Sequence, residues 1–548
     1  MSSTDDGAGV RVRWLVAGAF TAQPVGRRFT ATQAGFAAAL EAAALRTDAV
    51  VKDRIGAGET RTVRVAFGSL KAFQASEVIA ASPELGALMT LAAALAQPDA
   101  TKRPDPATAI GNVVELVGDG RLAAALRAKL GVAAAPKPAA PVPTPDDATV
   151  DAILAAANAP AQAPTASTAV DRFLKAARGP AAGTSATAPA AGRGARDVIE
   201  AEVYGTAVDV LRSPQVSQLE AAWRGLKLLL DQCPANAGIG VEVLDVDAAH
   251  TLEAVRAALP EVPEDEAPDA IFLFDAVNDP ERLSVLANLG ADNDVPVVAA
   301  VTEALFGQKD PHAVSARIED ESGSVPETWA ALREDEATRW LALVANRPVL
   351  RVEGTGAARR VVFGSPAAAL AAMLSASYHK SGAFARIVGP ANALKAAGSY
   401  ELPSGREAGT LVPTEAFYTI RAQNRLAELG VIGLGSGRNS DAVVLSTMPT
   451  MRAGTDVVPL SAQVLTGRVV RFARWVLAQL PAGAEEQEVK LLFEQAASVF
   501  LFPTAQEASR VEAQVVTSPE GRSVVLQVSA RADLAGIPFH LGFSLPLK

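Results

Sequence analysis

The sequence predicts two fold classes in one chain: a small N-terminal α+β module, then a larger α/β part that closes on β-strands. Three observations support this. A stretch dominated by Ala, Pro, Gly, Ser and Thr divides the chain; apolar runs alternate with helical stretches after it; the last segments alternate apolar with polar residues. At ~150 residues per domain, the 548 residues correspond to roughly three or four folding units.

The first module covers 1–131. Val12–Ala17 is an apolar run suited to a strand, and Ala31–Leu45 reads as an alanine-rich helix carrying Phe36, Leu40 and Leu45. Arg61–Phe67 (RTVRVAF) alternates, placing Val63, Val65 and Phe67 on one face of a strand. Two helical pieces follow, divided at Ser82-Pro83. Residues 132–200 read as a linker, because such composition buries too little apolar surface to offset ordering entropy. Within it, DDATVDAILAAA (146–157) predicts a short helix with Val150, Ile153 and Leu154 on one face; AVDRFLKAA (169–177) repeats the pattern more weakly.

From 201 to 548 the pattern is α/β. A helical stretch Ala201–Asp231 breaks at Ser213-Pro214. Ile239–Asp245, Ala270–Phe274 and Val295–Val301 then read as buried strands separated by helices, which predicts parallel pairing. Trp329–Leu343 reads as helical. Val511–Thr517, a Ser-Pro-Glu-Gly turn, Ser523–Arg531 and Pro538–Leu547 read as closing strands.

Composition narrows the function. Fifty Lys and Arg against sixty Asp and Glu give 50 − 60 = −10, with no dense basic stretch, which argues against nucleic acid as a main ligand. Only 5% of residues are aromatic, so stacking platforms are scarce. A single cysteine, Cys233, excludes an internal disulfide framework. The polar start MSSTDDGAGV and the lack of an apolar run near ~20 residues predict a cytoplasmic protein without membrane insertion.

Candidate chemistry is sparse. His250, His312, His379 and His540 have no metal-ligand spacing, and no GxxxxGK[ST] or GxSxG motif occurs. Gly433, Gly435 and Gly437 form a glycine-rich segment, but AVVLS after it reads as a strand, which favours a turn over a phosphate cradle. Asp245, Asp247, Asp275 and Asp279 follow two predicted parallel strands, where they would hold Mg²⁺ or cap the next helices. Arg468, Arg471 and Arg474 line one side of RVVRFARWVLAQL, either as snorkelling residues of an amphipathic helix or as a contact surface for an acidic partner. No cofactor, metal or catalytic constellation results.

VLRSPQVSQLEAAWRGLKLLL (Val210–Leu230) resembles the signature of the large subunit of the type VI secretion contractile sheath, matching at Pro214, Leu219, Glu220, Trp223, Arg224, Gly225 and Leu226; Val216 stands where an aromatic is usual. The similarity continues through Pro268–Gly307, Trp329–Arg351, Leu426–Leu434 and VVRFARWVL. The family's Gly-Asp-Tyr triplet is absent, Trp340 replaces a tyrosine, and Arg347-Pro348 inverts Pro-Arg. RRFTATQAGFAAAL (Arg27–Leu40) and Val63–Leu88 resemble the sheath small subunit without its Asp-rich part. The chain thus resembles a fused small and large sheath subunit.

That resemblance implies a structural, non-enzymatic protein that polymerises with itself into a helical tube, surrounds an inner tube on a baseplate, and contracts without consuming nucleotide. It implies strands exchanged between protomers, with Val12, Leu15 and Val16 at one terminus and Phe539, Leu541, Phe543 and Leu545 at the other as donors. It also implies that Val150, Ile153 and Leu154 form a handle for an AAA+ unfoldase, although a linker helix without a partner fits the same residues. The reading from another class is an Mg²⁺-dependent α/β hydrolase or receiver-like module built on the four aspartates.

Overall fold

The computed structural model describes residues 11–132 and 188–547, except 260, 261, 264, 265, 320–327, 355–358, 406, 455, 456, 482, 503–508 and 520. The first half of its strands are β1 (Val12–Gly18), β2 (Arg27–Ala31), β3 (Leu45–Lys52), β4 (Thr60–Phe67), β5 (Ile239–Asp245), β6 (Ala270–Ala276), β7 (Val297–Ala300), β8 (Leu341–Ala345), β9 (Val349–Glu353) and β10 (Arg360–Phe363). The short strands β11 (Leu394–Lys395), β12 (Tyr400–Glu401), β13 (Leu411–Val412), β14 (Val431–Gly433), β15 (Gly435–Ser436) and β16 (Ala442–Val444) follow. The chain closes with β17 (Ser509–Ser518), β18 (Gly521–Ala530) and β19 (Phe539–Pro546).

Seven strands form one sheet in the order β14-β8-β7-β6-β1-β5-β2. All pairs are parallel except β2 with β5. Parallel strands covered on both faces need apolar residues throughout, and β8, with the sequence LALVA, is buried at every position. Alternate residues serve the two faces. Leu15, Ile271, Leu273, Val297, Leu341 and Leu343 join one core with the helix Pro280–Asp292. On the other side Trp14 donates its indole N–H to Ser375 Oγ, 2.9 Å away in the helix Pro366–Ser381.

The central position of β1 corrects one expectation. It pairs with β5 along Val12↔Ile239 to Gly18↔Asp245 and with β6 along Trp14↔Ala270 to Ala17↔Leu273. Val12, Leu15 and Val16 are buried, and the strand has neither a free edge nor a free face within this chain. It is an interior strand here, not an apolar terminus short of partners.

Other expectations shift in extent. The helix read over Ala31–Leu45 is only Phe36–Ala42, bounded by Gly35 before it and by Ala44 at φ 46° after it. Arg27–Ala31 and Leu45–Lys52 are strands. Trp329–Leu343 is helical only to Glu334, with a 3₁₀ turn Glu336–Trp340, before it becomes β8. Helix Ala188–Arg212 begins inside the expected linker and gives way at Ser213 to the helix Pro214–Leu230. The closing strands lie where the alternation placed them.

The chain divides into two compact units that cut across the expected 1–131 module. One comprises 1–49, 64–74 and 211–548; the other comprises 50–63 and 75–210, with the division passing through the β3–β4 hairpin. The second unit is helical. Ser82 caps Pro83–Leu95 by accepting from the Leu85 amide, and Asp105 caps Pro106–Val117 by accepting from the Ala107 and Thr108 amides at 3.0 Å. The helix Arg121–Leu130 buries Leu122 and Leu126 and ends at Gly131, whose φ of 69° suits glycine. Among the described residues no single helix is long and apolar enough to cross a membrane; the pair Ala75–Ala81 and Pro83–Leu95 passes that test only jointly and is bent by 103°.

Candidate assembly interface

The signature segment lies on Pro214–Leu230, a helix whose inward stripe is Leu219, Glu220, Trp223, Leu226 and Leu230. Trp223 donates its indole N–H to the Phe20 carbonyl at 2.8 Å and packs against Phe20, Phe29 and Phe36. Gly225 sits where a Cβ would lie 3.3 Å from Ala368 and 3.4 Å from Phe274, so it permits close approach of the helix Pro366–Ser381. Glu220 is fully buried. It accepts from Arg224 Nε at 2.7 Å and pairs with the buried Arg360. Arg360 also donates to Glu353 at 2.8 Å and to the Phe73 carbonyl at 2.9 Å, while Arg224 reaches the Leu70 carbonyl.

Thus Leu219, Glu220, Trp223, Arg224, Gly225 and Leu226 form a joint that fastens residues 20–36 and 70–73 to the large sheet. Sequence reasoning named these six but missed their partners. Arg360 lies 140 residues from Glu220, and nothing local marks either Arg360 or Phe20 as a partner.

The basic helix is corrected. Arg468 and Arg471 are 6% and 5% exposed and face inward along Leu460–Gln479. Arg471 donates to Asp269 at 2.7 Å and to the Asp294 carbonyl, and Arg468 lies over the Tyr378 ring at 5.5 Å. Arg474, partly exposed, pairs with Asp294 at 2.6 Å. Asp269 also accepts from the Arg13 amide. Desolvation of Arg468 and Arg471 is tolerable because each has a carboxylate, a carbonyl or a ring, so these two clamp this helix to the sheet rather than offer a contact surface.

An open surface lies at the end of the chain. β17, β18 and β19 form an antiparallel sheet, β18 central, packed on the helices Leu460–Gln479 and Glu486–Phe500. Phe539 is buried, and Leu541, Phe543 and Leu545 pack against the same core, so these predicted strand residues sit together on β19. β17 and β19 are both edge strands. Along β17 runs a groove of about 710 Å³ whose walls include Lys490 and Glu494 of one helix and Arg510, Glu512 and Gln514 of the strand. A backbone edge beside an open groove is the geometry for strand addition.

The aspartates separate. Asp245 accepts from the Phe20 and Thr21 amides and the Thr21 hydroxyl; Asp247 accepts from the Ala249 and His250 amides and meets the His250 ring; Asp279 caps Pro280–Asp292. Asp275 alone lines a cavity. Each of the other three is occupied by these hydrogen bonds, and among the described residues no group of three His, Cys, Asp or Glu side chains could hold a metal. The segment is not the expected turn: Gly433 ends β14 and Gly435 opens β15, paired with Val444, and a Cβ at Gly435 would lie 2.0 Å from Gln423 Nε2, so the backbone there is packed against that side chain.

Burial pushes the Cys233 thiol up to about 11, opposed only by a bond to Ser375. It is protonated at pH 8, so Ellman's reagent should label the native protein only at its unfolding rate; immediate labelling would show an open pocket. Val150, Ile153 and Leu154 lie outside the described residues.

No family model matches the chain, and no curated protein matches it. Solved structures include a chain of the six-fold symmetrised anti-feeding prophage baseplate, 15% identical with a TM-score of 0.37, covering 60% of this chain and 80% of that one. The contracted helical sheath of the same particle gives 14% and 0.34, covering 59% and 80%. The contracted PVC sheath of an extracellular contractile injection system gives 11% and 0.33, covering 59% and 76%.

Proposed function

We propose that the chain is a structural subunit of a contractile injection sheath of the type VI kind, with small-subunit and large-subunit parts fused at one to one. The observation that carries this reading is the three-stranded sheet with its open edge and groove, on a chain whose Glu220–Trp223–Arg224 joint falls in the sheath-like signature. Each protomer adds a strand to its neighbour, so backbone hydrogen bonds hold the tube while rigid bodies turn against one another. Contraction draws on strain at these interfaces and needs neither cofactor nor catalysis. An inner tube, a baseplate and an AAA+ unfoldase acting at Val150, Ile153 and Leu154 complete the system, in the cytoplasm.

Negative-stain microscopy of the full chain with its inner-tube protein is expected to show tubes or cogwheel rings. Successive amides of a strand point to opposite edges, so proline at either Gln514 or Val515 removes one that faces outward from β17. Whichever variant keeps the parent Tm should remain unassembled. Tubes from that variant, or a monodisperse parent beside its inner tube, would overturn the proposal.

A further inference from the structure

The two free edges of the closing sheet are built differently. Leu547 donates its amide to the Arg522 carbonyl at 2.8 Å, which fixes the phase of both ladders. Along an antiparallel strand, successive amides point to opposite sides. With Ser523 opposite Pro546, the odd-numbered residues of β19 bond to β18, while His540, Gly542, Ser544 and Pro546 face outward. Arg522 faces β19, so Ser523, Val525 and Gln527 face β17 and engage Val516, Gln514 and Glu512. That leaves Val511, Ala513, Val515 and Thr517 on the free edge of β17.

The two outward rows differ in chemistry. On β17 the row carries an amide at every position, and Val511, Val515 and Thr517 are good strand formers. On β19, continued back to the exposed Pro538 just before the strand, the row reads Pro538, His540, Gly542, Ser544 and Pro546. Proline has no amide for a neighbour, so the donors of that edge end on both sides of His540, Gly542 and Ser544. Gly542 has no steric reason to be glycine. Its φ is not positive, and an added Cβ would meet only the Leu526 carbonyl at 4.0 Å. What glycine does at that place is weaken the strand. Soluble proteins blunt sheet edges by such means against pairing with another chain.

We propose that β19 is a guarded edge, which stops the closing sheets of two copies from joining, so that this sheet takes a foreign strand on its β17 side alone. Without the guard, β19 would pair with β19 of a second copy, or with its β17 in a head-to-tail contact that repeats without closing. Pro538, Gly542 and Pro546 carry the device. The β17 half of the proposal rests on the sheath reading; the β19 half does not.

The test starts from the full chain carrying Val515→Pro, or Val511→Pro where the first lowers Tm, so that the β17 edge is closed. In that background Pro538→Thr, Gly542→Val and Pro546→Thr together are expected to raise the weight-average mass in sedimentation about twofold, through pairing of β19 with its own copy. These side chains point to solvent, so Tm should not fall. If it does, Gly542→Val with Pro546→Thr is read in the same way. Adding His540→Lys and Ser544→Lys should restore the parent mass, because charge guards an edge as proline does, whereas a misfolded aggregate would persist. An unchanged mass on opening the edge, or an association that the lysines leave in place, would overturn the proposal. Tubes formed by the β17 variant before any change in β19 would defeat the sheath reading instead, and the mass added by the β19 substitutions still decides the guard.

Discussion

Glu220→Ala is expected to lower the unfolding free energy by about 3–5 kcal/mol, read by urea denaturation through tryptophan fluorescence. The loss comes less from the missing contact than from what is left behind. Arg360 and Arg224 stay in a site with almost no water, Arg360 keeping only Glu353 and the Phe73 carbonyl. Replacing Glu220 and Arg360 together by leucine and methionine should recover only part of that loss, because Arg224 then stays buried without Glu220 and Glu353 without Arg360. A loss below about 1 kcal/mol for Glu220→Ala would mean that water reaches the pair in solution.

Severing the chain inside its Ala/Pro-rich stretch has the second largest expected effect, and an asymmetric one. Residues 188–548 made alone lack β1, so β5 and β6 lose the strand between them and expose apolar faces; this fragment is expected in the insoluble fraction. Co-expressed with residues 1–132, it should become soluble and copurify with that fragment. Noncovalent recovery follows from where the affinity lies: seven paired residues on one edge of β1, four on the other, and the aromatic cluster of Phe20, Phe29 and Phe36 on Trp223. A soluble, cooperatively unfolding 188–548 fragment would contradict the central role of β1.

Much of the α/β frame was legible because fully buried parallel strands advertise themselves as apolar runs. Ile239–Asp245, Ala270–Phe274 and Val295–Val301 could be read as apolar runs, and the strands formed are Ile239–Asp245, Ala270–Ala276 and Val297–Ala300. Their spatial order could not. Periodicity reports which face of an element is apolar, and it carries no information about a neighbour two hundred residues away. The family resemblance placed β1 at a protomer boundary, and it lies inside the sheet between β5 and β6.

The basic helix failed for a related reason. Arginines at Arg468 and Arg471 look solvated until Asp269 and Asp294, from distant loops, are brought beneath them. Arg27–Ala31 was missed because an edge strand with mixed exposure lacks the apolar density of its neighbours. The signature residues were recognised as a motif, but only the structure shows that Glu220 ends as a buried ion pair and Trp223 as the floor of an aromatic cluster.

The placement of β1 also sets a timetable for synthesis. Arg13 meets Asp269 across 256 residues of chain, so the N-terminal strand emerges long before its partner on that side exists. At roughly 5–20 residues per second, the segment WLVAG waits about 10–50 s without its second neighbour. During that interval it is an apolar strand attached to a nascent chain, and the ribosome delivers the two parts in the order that leaves it exposed longest. The sheet can be completed only after β14, its last strand in chain order, has left the exit tunnel, which makes its completion a late step of synthesis.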